Sequence, residues 1–333
     1  MAENKKQLVL AAMDGKDVAR VPSGFWFHFL DDEVGADAFR DPSLTKHLLA
    51  GEKKYIEGFR PDFVKIMTDG FFHYRSEQVE QAREVRQLRG LKPLADDDPW
   101  FTAQLAYAKE LTRSYGDDVA MFYNIFAANT TFRFMQPIWE QGEALLVSFI
   151  QEDKETVKEA FDVLSTDLAR LSTRLIKEAG VTGIYFSLQN LLGDGITRAV
   201  YDEVLAPGEK KILAAANAAS DYNILHICGY AGHRNDLSWY EDYDAKTINW
   251  AAVVEGIPLE EGQKRFAGRA VLGGFGNLAS EVLYKGTKEA ITAETHRLLA
   301  AAGRRGVILG ADCTVPRDMD WKHLEWVREA ARA

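Results

Sequence analysis

"KETVKEAFDVLSTDLARLSTRLIKEAGVTGIYFSLQN", Lys154 to Asn190, changes its hydrophobic period at one glycine. Up to Ala179 the apolar residues recur at three-to-four spacing, the stripe of a helix face. Gly180 is a stop signal for that helix. Beyond it, Val181–Leu188 is a short run of apolar, aromatic and β-branched residues, the pattern of a buried strand. A helix that hands over to a buried strand is the repeating unit of a parallel α/β sheet.

The same alternation runs through the chain. Strands are expected at Val21–Phe29, Asp62–Met67, Val119–Phe126, Val181–Leu188, Tyr222–Ile227, Ala245–Trp250, Ala270–Gly274 and Gly306–Leu309. Helices are expected at Leu44–Tyr55, Phe101–Tyr115, Lys154–Ala179, Ala206–Ala219, Lys288–Ala302 and Asp320–Ala331. Eight strands alternating with helices predict an α/β fold, a (β/α)8 barrel of the TIM type, with residues 1–333 as a single domain. A doubly wound open sheet is the alternative. It normally carries a glycine-rich nucleotide turn, and "GGFGN" (Gly273–Asn277) lacks both the full fingerprint and an early strand position. The charged stretch Glu77–Trp100 reads as an insertion after the second strand. At the start, "MAENKKQLVLAAMDGKDVAR" places Asp14, Lys16 and Asp17 directly after a short apolar run, which suits an amphipathic N-terminal helical extension and not an export signal.

The formal net charge is −10, which argues against nucleic acid as a partner, since such proteins present a basic face. No stretch approaches the roughly 18 apolar residues of a membrane span. Two cysteines cannot build a disulfide framework, and a cytoplasmic location, where thiols stay reduced, is expected.

In a barrel of this type the active-site residues lie at the C-terminal ends of the strands. Those ends carry His28, Asp69, Asn124, Ser187, Gln189, Asn190, His226, Cys228, Asn249, Asn277, Asp312 and Cys313. Polar residues end strands in any case, so for a single Asn or Gln the bland alternative is a loop hydrogen bond. Asp69, Asn124 and Gln189 are the catalytic candidates. His28, Phe71 and Asn277 are the candidates for contact with a cofactor, Phe71 with Phe72 and His73 as part of a pocket mouth.

The cysteines carry more information. "ILHICGYAGH" (Ile224–His233) sets His226 and Cys228 two apart in an extended segment, so both side chains point the same way. Cys313, in "ILGADCTVP", would approach from the last strand. The three residues can be read as a metal site, as a Cys–His nucleophile, or as buried inert thiols beside a histidine. A strand spacing of two leaves the first pair about 6–7 Å apart, too far for the direct hydrogen bond a nucleophile needs. As a metal site, a Cys2His set leaves one position open, the arrangement of catalytic zinc (Zn2+) and not of structural zinc. Zinc held by two thiolates is a modest Lewis acid for hydrolysis, but a thiol entering its open position loses a proton and stays nucleophilic.

"DVARVPSGFWFH", "DFVKIMTDGFF", "LHICG", "GGFGN" and "GADCTVP" occur in an order and spacing that resemble the uroporphyrinogen decarboxylase superfamily over nearly the whole chain. The resemblance implies a distorted (β/α)8 barrel of uroporphyrinogen decarboxylase type. It also implies one of two activities: cofactor-free decarboxylation of uroporphyrinogen, or methyl transfer involving a corrinoid (cobalamin-type) protein, with a thiol such as coenzyme M or a folate as the other substrate. His226, Cys228 and Cys313 match the His-X-Cys…Cys zinc motif of the thiol methyltransferases in that superfamily. The decarboxylases carry an arginine-rich "RQAGR" segment after the first strand. Here that place reads "FWFHFLDDEVG", and Asp31, Asp32 and Glu33 would repel a polycarboxylate. Asp69 matches an aspartate of the decarboxylases, which leaves it as a fourth metal contact, a substrate contact or a structural group. The expected function is therefore a zinc-dependent methyltransferase supplied by a corrinoid-binding partner protein. A tetrapyrrole decarboxylase and a non-catalytic corrinoid- or tetrapyrrole-binding protein are the alternatives.

Overall fold

The computed structural model describes residues 4–136, 139–230 and 233–332. Among them, seven strands form one parallel sheet in chain order: β1 (Phe63–Ile66), β2 (Ala120–Phe126), β3 (Gly183–Leu188), β4 (Ile224–Ile227), β5 (Thr247–Trp250), β6 (Ala270–Phe275) and β7 (Val307–Ala311). Every strand residue except Phe126 is buried. That is the consequence of covering a parallel sheet on both faces, and it is why these segments read as apolar runs without alternation. The sheet curls. Phe63 of β1, Phe122 of β2, Tyr185 of β3, Ile224 of β4, Leu272 of β6 and Ile308 of β7 meet in one apolar cluster, which a flat sheet would keep apart. The result is a TIM-barrel-like α/β fold.

The expected first strand, Val21–Phe29, is the departure. It is not a regular strand. It runs extended beside β7 and pairs there through a single bridge, Ser23 to Leu309. Gly24 N–H donates to Leu309 C=O and Leu309 N–H to Pro22 C=O, both at 2.9 Å. The reason lies in the sequence. Pro22 has no N–H to give a ladder. Gly24 sits against the Phe63 ring, where a Cβ would come within 2.0 Å of a ring carbon. Side chains satisfy the backbone instead: Asp62 accepts from Ser23 N–H at 2.9 Å and Tyr55 donates to Phe25 C=O at 2.9 Å. The expected eight strands are thus seven plus an extended segment at β7. The helix Lys5–Met13 precedes that segment, and Val9, Ala12 and Met13 join the cluster inside the sheet.

The long helix Trp139–Ala179 breaks its helical geometry at Asp153, with φ −152° and ψ 81°. The Asp153 carboxylate accepts from Thr156 N–H at 3.1 Å and Thr156 Oγ1 at 2.7 Å. This is an N-cap, and it explains why the sequence pattern starts a fresh helix at Lys154. The helix ends where Gly180 turns left-handed, at φ 74°. Lys288–Ala302 is a helix over the expected span. The insertion Glu77–Trp100 contains the short helix Glu77–Glu80 and the 3-10 turn Val85–Leu88. Buried Asp167 anchors it, accepting from Tyr74 Oη at 2.7 Å and Leu94 N–H at 2.8 Å. Among the described residues, no helix is long and apolar enough to cross a membrane.

Candidate metal centre

His226 belongs to β4, and Cys228 follows one pleat later at the C-terminal end of the sheet. Cys228 N–H still bonds to Leu188 C=O of β3, at 2.9 Å, so the residue keeps the strand's alignment. Asn235 fixes its other side, donating to Cys228 C=O at 3.1 Å while the Glu255 carboxylate accepts from Asn235 N–H at 3.0 Å. Cys313 stands just past β7. Asp312 N–H bonds Phe275 C=O at 2.8 Å, Asn277 Nδ2 donates to Thr314 C=O at 2.9 Å, and Val315 N–H bonds Trp26 C=O at 3.0 Å. The Asp312 carboxylate accepts from Val253 and Val254 N–H, at 3.0 and 3.2 Å.

These anchors bring the three side chains together. Cys228 Sγ and Cys313 Sγ lie 3.8 Å apart, and Cys313 Sγ lies 3.8 Å from His226 Nε2. All three ligand atoms fall within 4.8 Å of one another, and Asp69 is not among them. A four-coordinate ion with bonds of about 2.3 Å to sulfur and about 2.0 Å to nitrogen would set tetrahedral ligands about 3.8 Å and about 3.5 Å apart. The residues therefore fit a tetrahedral metal with one position left over. His226 is buried, whereas both cysteines are partly exposed, so the open side faces outward.

Asn249 of β5, paired with His226 in the sheet register, prepares the imidazole. Its Nδ2 donates to Leu272 C=O at 2.8 Å, which fixes the amide's orientation and leaves Oδ1 as the acceptor. That oxygen accepts from His226 Nδ1 and, at 2.8 Å, from Tyr185 Oη. The proton is thereby held on Nδ1, and Nε2 presents its lone pair to the cysteines. Burial lowers the His226 pKa, which keeps the ring neutral.

The thiols share a proton. The hydrogen bond from Cys228 holds Cys313 well below the ordinary thiol range, while that same bond and burial push Cys228 up. A metal replaces that proton, since both ligands must be thiolates. Gln189 favours the thiolate of Cys228, and its Oε1 accepts from Arg133 Nη1 at 2.9 Å. Arg133 is buried and pairs with Glu143 at 2.9 Å.

The other expected site residues form separate contacts. Asp69 is fully buried and accepts from His28 Nδ1 at 2.8 Å and from Phe29 and Leu30 N–H at 2.7 and 3.2 Å. It ties the end of the irregular segment to β1. Asn124 donates to Thr68 Oγ1 at 3.1 Å and accepts from Ser187 Oγ at 2.8 Å. Phe71 is buried against the Phe39 and Tyr107 rings, with centroids 5.3 and 5.6 Å away. Asn277 serves the Cys313 loop, as above.

Sequence reasoning passed over two neighbours. Asn249 carried no assigned role, because nothing in "TINW" says which carbonyls its amide meets. Lys65 in "FVKI" was unremarked. It is 5% exposed, with its ammonium 4.3 Å from the centre of the Tyr185 ring and 5.2 Å from that of Trp26. Burial lowers its pKa, and Cys313, Cys228 and Asp69 act in the other direction. A charge inside a run buried on both faces was the available signal.

Comparison with known proteins follows the fold. A methyltransferase from Methanosarcina mazei is similar over 98% of this chain and 98% of its own, at 17% identity and a TM-score of 0.72. A B12-independent methionine synthase from Shewanella sp. W3-18-1, in complex with selenomethionine, aligns over 68% of this chain and 65% of its own, at 14% identity and a TM-score of 0.41. No curated protein matches the chain. The family model described as uroporphyrinogen decarboxylase (URO-D) matches residues 74–333, most of the chain, and on that match the chain belongs to the uroporphyrinogen decarboxylase family.

Proposed function

We propose that the chain is a zinc-dependent methyltransferase that moves a methyl group between a corrinoid protein and a small thiol, with a folate as the alternative acceptor. The observation that carries this reading is the His226–Cys228–Cys313 triangle, with two sides of 3.8 Å and all three ligand atoms within 4.8 Å, which suits a tetrahedral ion. Bound there, zinc supplies the charge that draws the proton from an entering thiol while leaving its sulfur nucleophilic. In the net reaction the thiol loses its proton, a carbon–sulfur bond forms, and the corrinoid keeps the electron pair of the broken carbon–cobalt bond.

The chain's own groups prepare this. Asn249 holds the His226 proton on Nδ1. Gln189, oriented by Arg133, steadies the Cys228 sulfur as a thiolate. In the same reading buried Asp69, Asn124 and Phe71 hold the mouth from beneath, and the partly exposed His28 and Asn277 meet the incoming methyl carrier. The acidic segment Asp31–Glu33 disfavours a polycarboxylate porphyrinogen. A cytoplasmic setting keeps both thiols reduced.

Metal analysis is the first test. One zinc per chain is expected, lost in both Cys228→Ser and Cys313→Ser. Methyl transfer by protein stripped of metal would overturn the mechanism. Consumption of uroporphyrinogen by that same protein would establish the decarboxylase instead.

A further inference from the structure

Lys65 is a buried amine that the chemistry above does not use. Among the described residues it makes no hydrogen bond and no ion pair; its ammonium lies against the Tyr185 and Trp26 rings. Those rings form part of the apolar cluster inside the sheet and also pack on His226, with centroids 5.5 and 6.4 Å from the imidazole. Across the Tyr185 ring, 4.3 Å from the ammonium and 5.5 Å from the imidazole by ring centres, Lys65 neighbours the His226 site, and charges on Cys313, Cys228 and Asp69 act on it. Asp69 is already engaged by His28 and by two backbone N–H groups. The charge therefore looks toward the cysteines.

Counting charge at the centre gives this a purpose. The two thiolates cancel a divalent ion, and a neutral imidazole adds nothing. A neutral ligand in the open position keeps the centre neutral, but a thiolate leaves one excess negative charge in a low-dielectric interior. The other buried cation beside Cys228, Arg133, is paired with Glu143. We propose that Lys65 is a positioning residue whose ammonium offsets that excess charge, so that the centre selects an anionic sulfur over neutral ligands. This rests on reading the triangle as a metal site for a thiol.

Protein loaded with cobalt(II), whose thiolate bands are visible, is titrated with 2-mercaptoethanol and separately with imidazole. Lys65→Met is expected to weaken mercaptoethanol binding about ten- to fiftyfold, the effect of one charge about 7–12 Å away at an effective dielectric of about 20. The pH for half-binding should rise by about one unit per tenfold loss. Imidazole affinity should stay within about twofold, and Lys65→Arg should restore thiol binding. Lys65→Gln, polar but uncharged, repeats the test if the methionine variant folds poorly. Equal thiol affinity in the uncharged variants and the native protein would overturn the inference. So would equal losses for both ligands, which would mark a structural role. A native cobalt protein whose spectrum ignores thiol would instead overturn the functional reading, and this inference with it.

Discussion

Replacing Asn249 with alanine should weaken metal binding in a way that can be separated from its effect on folding. The amide accepts from His226 Nδ1 and Tyr185 Oη and donates to Leu272 C=O. Alanine orphans two buried donors, each costing about 1–3 kcal/mol, so the metal-free variant should lose roughly 2–6 kcal/mol of stability. The imidazole also loses what fixes its tautomer and ring angle, and partners of this kind are worth about 10- to 100-fold in metal affinity. The second effect has its own readout. With free zinc at about 100 times the native dissociation constant, binding stabilises the native protein by about 2.7 kcal/mol. A dissociation constant about 30-fold weaker reduces that gain, at the same zinc, to about 0.9 kcal/mol. Urea unfolding with and without zinc gives the difference, and competition with a chromophoric chelator gives the constant directly. Asn249→Asp keeps an acceptor for both donors and should retain more affinity than alanine. An alanine variant that is less stable but binds zinc with native affinity would refute the reasoning, because it would show that His226 needs no partner.

Glu52 should make stability depend on pH. Burial raises its pKa from 4.5 to about 8, against the pull of the Met67 N–H it accepts. A carboxyl raised on folding stabilises the native state fully below its unfolded pKa, and this is lost as pH rises through the folded value. The loss is on the order of 5 kcal/mol between those limits. Glu52→Gln keeps the acceptor and cannot ionise, so urea midpoints at pH 5 and pH 8 should differ less than in the native protein; equal differences would count against it. Gly24→Ala should cost about 1–3 kcal/mol, since its methyl would meet the packed Phe63 ring. A variant with native unfolding free energy would mean that the extended segment can move away from β1.

The sheet was legible because its strands are buried on both faces and announce themselves as apolar runs. Val21–Phe29 reads the same way, with Val21, Phe25, Trp26 and Phe27 all buried. Apolar content reports burial, whereas a ladder also needs free N–H groups, which Pro22 denies it. The cysteines were legible because rare residue types at strand ends carry weight. Lys65 and Asn249 were not, since their meaning depends on which residues of other strands they meet. Asp69 illustrates the limit well. The sequence marks it as an acid at a strand end, but only the fold shows its carboxylate already occupied by His28, Phe29 and Leu30.

The thiols that meet at 3.8 Å stand 85 residues apart in the chain. Cys228 is in place once β4 lies on β3, but Cys313 arrives only with β7, the last in chain order of the described strands. That strand also receives the extended segment from the start of the chain, so one late event joins both ends of the fold and completes the ligand set. Such distant contacts form slowly, because the intervening loop must close before they contribute. An ion caught by all three side chains is therefore a clock for ring closure: its capture dates the moment when the first and last parts of the polypeptide meet.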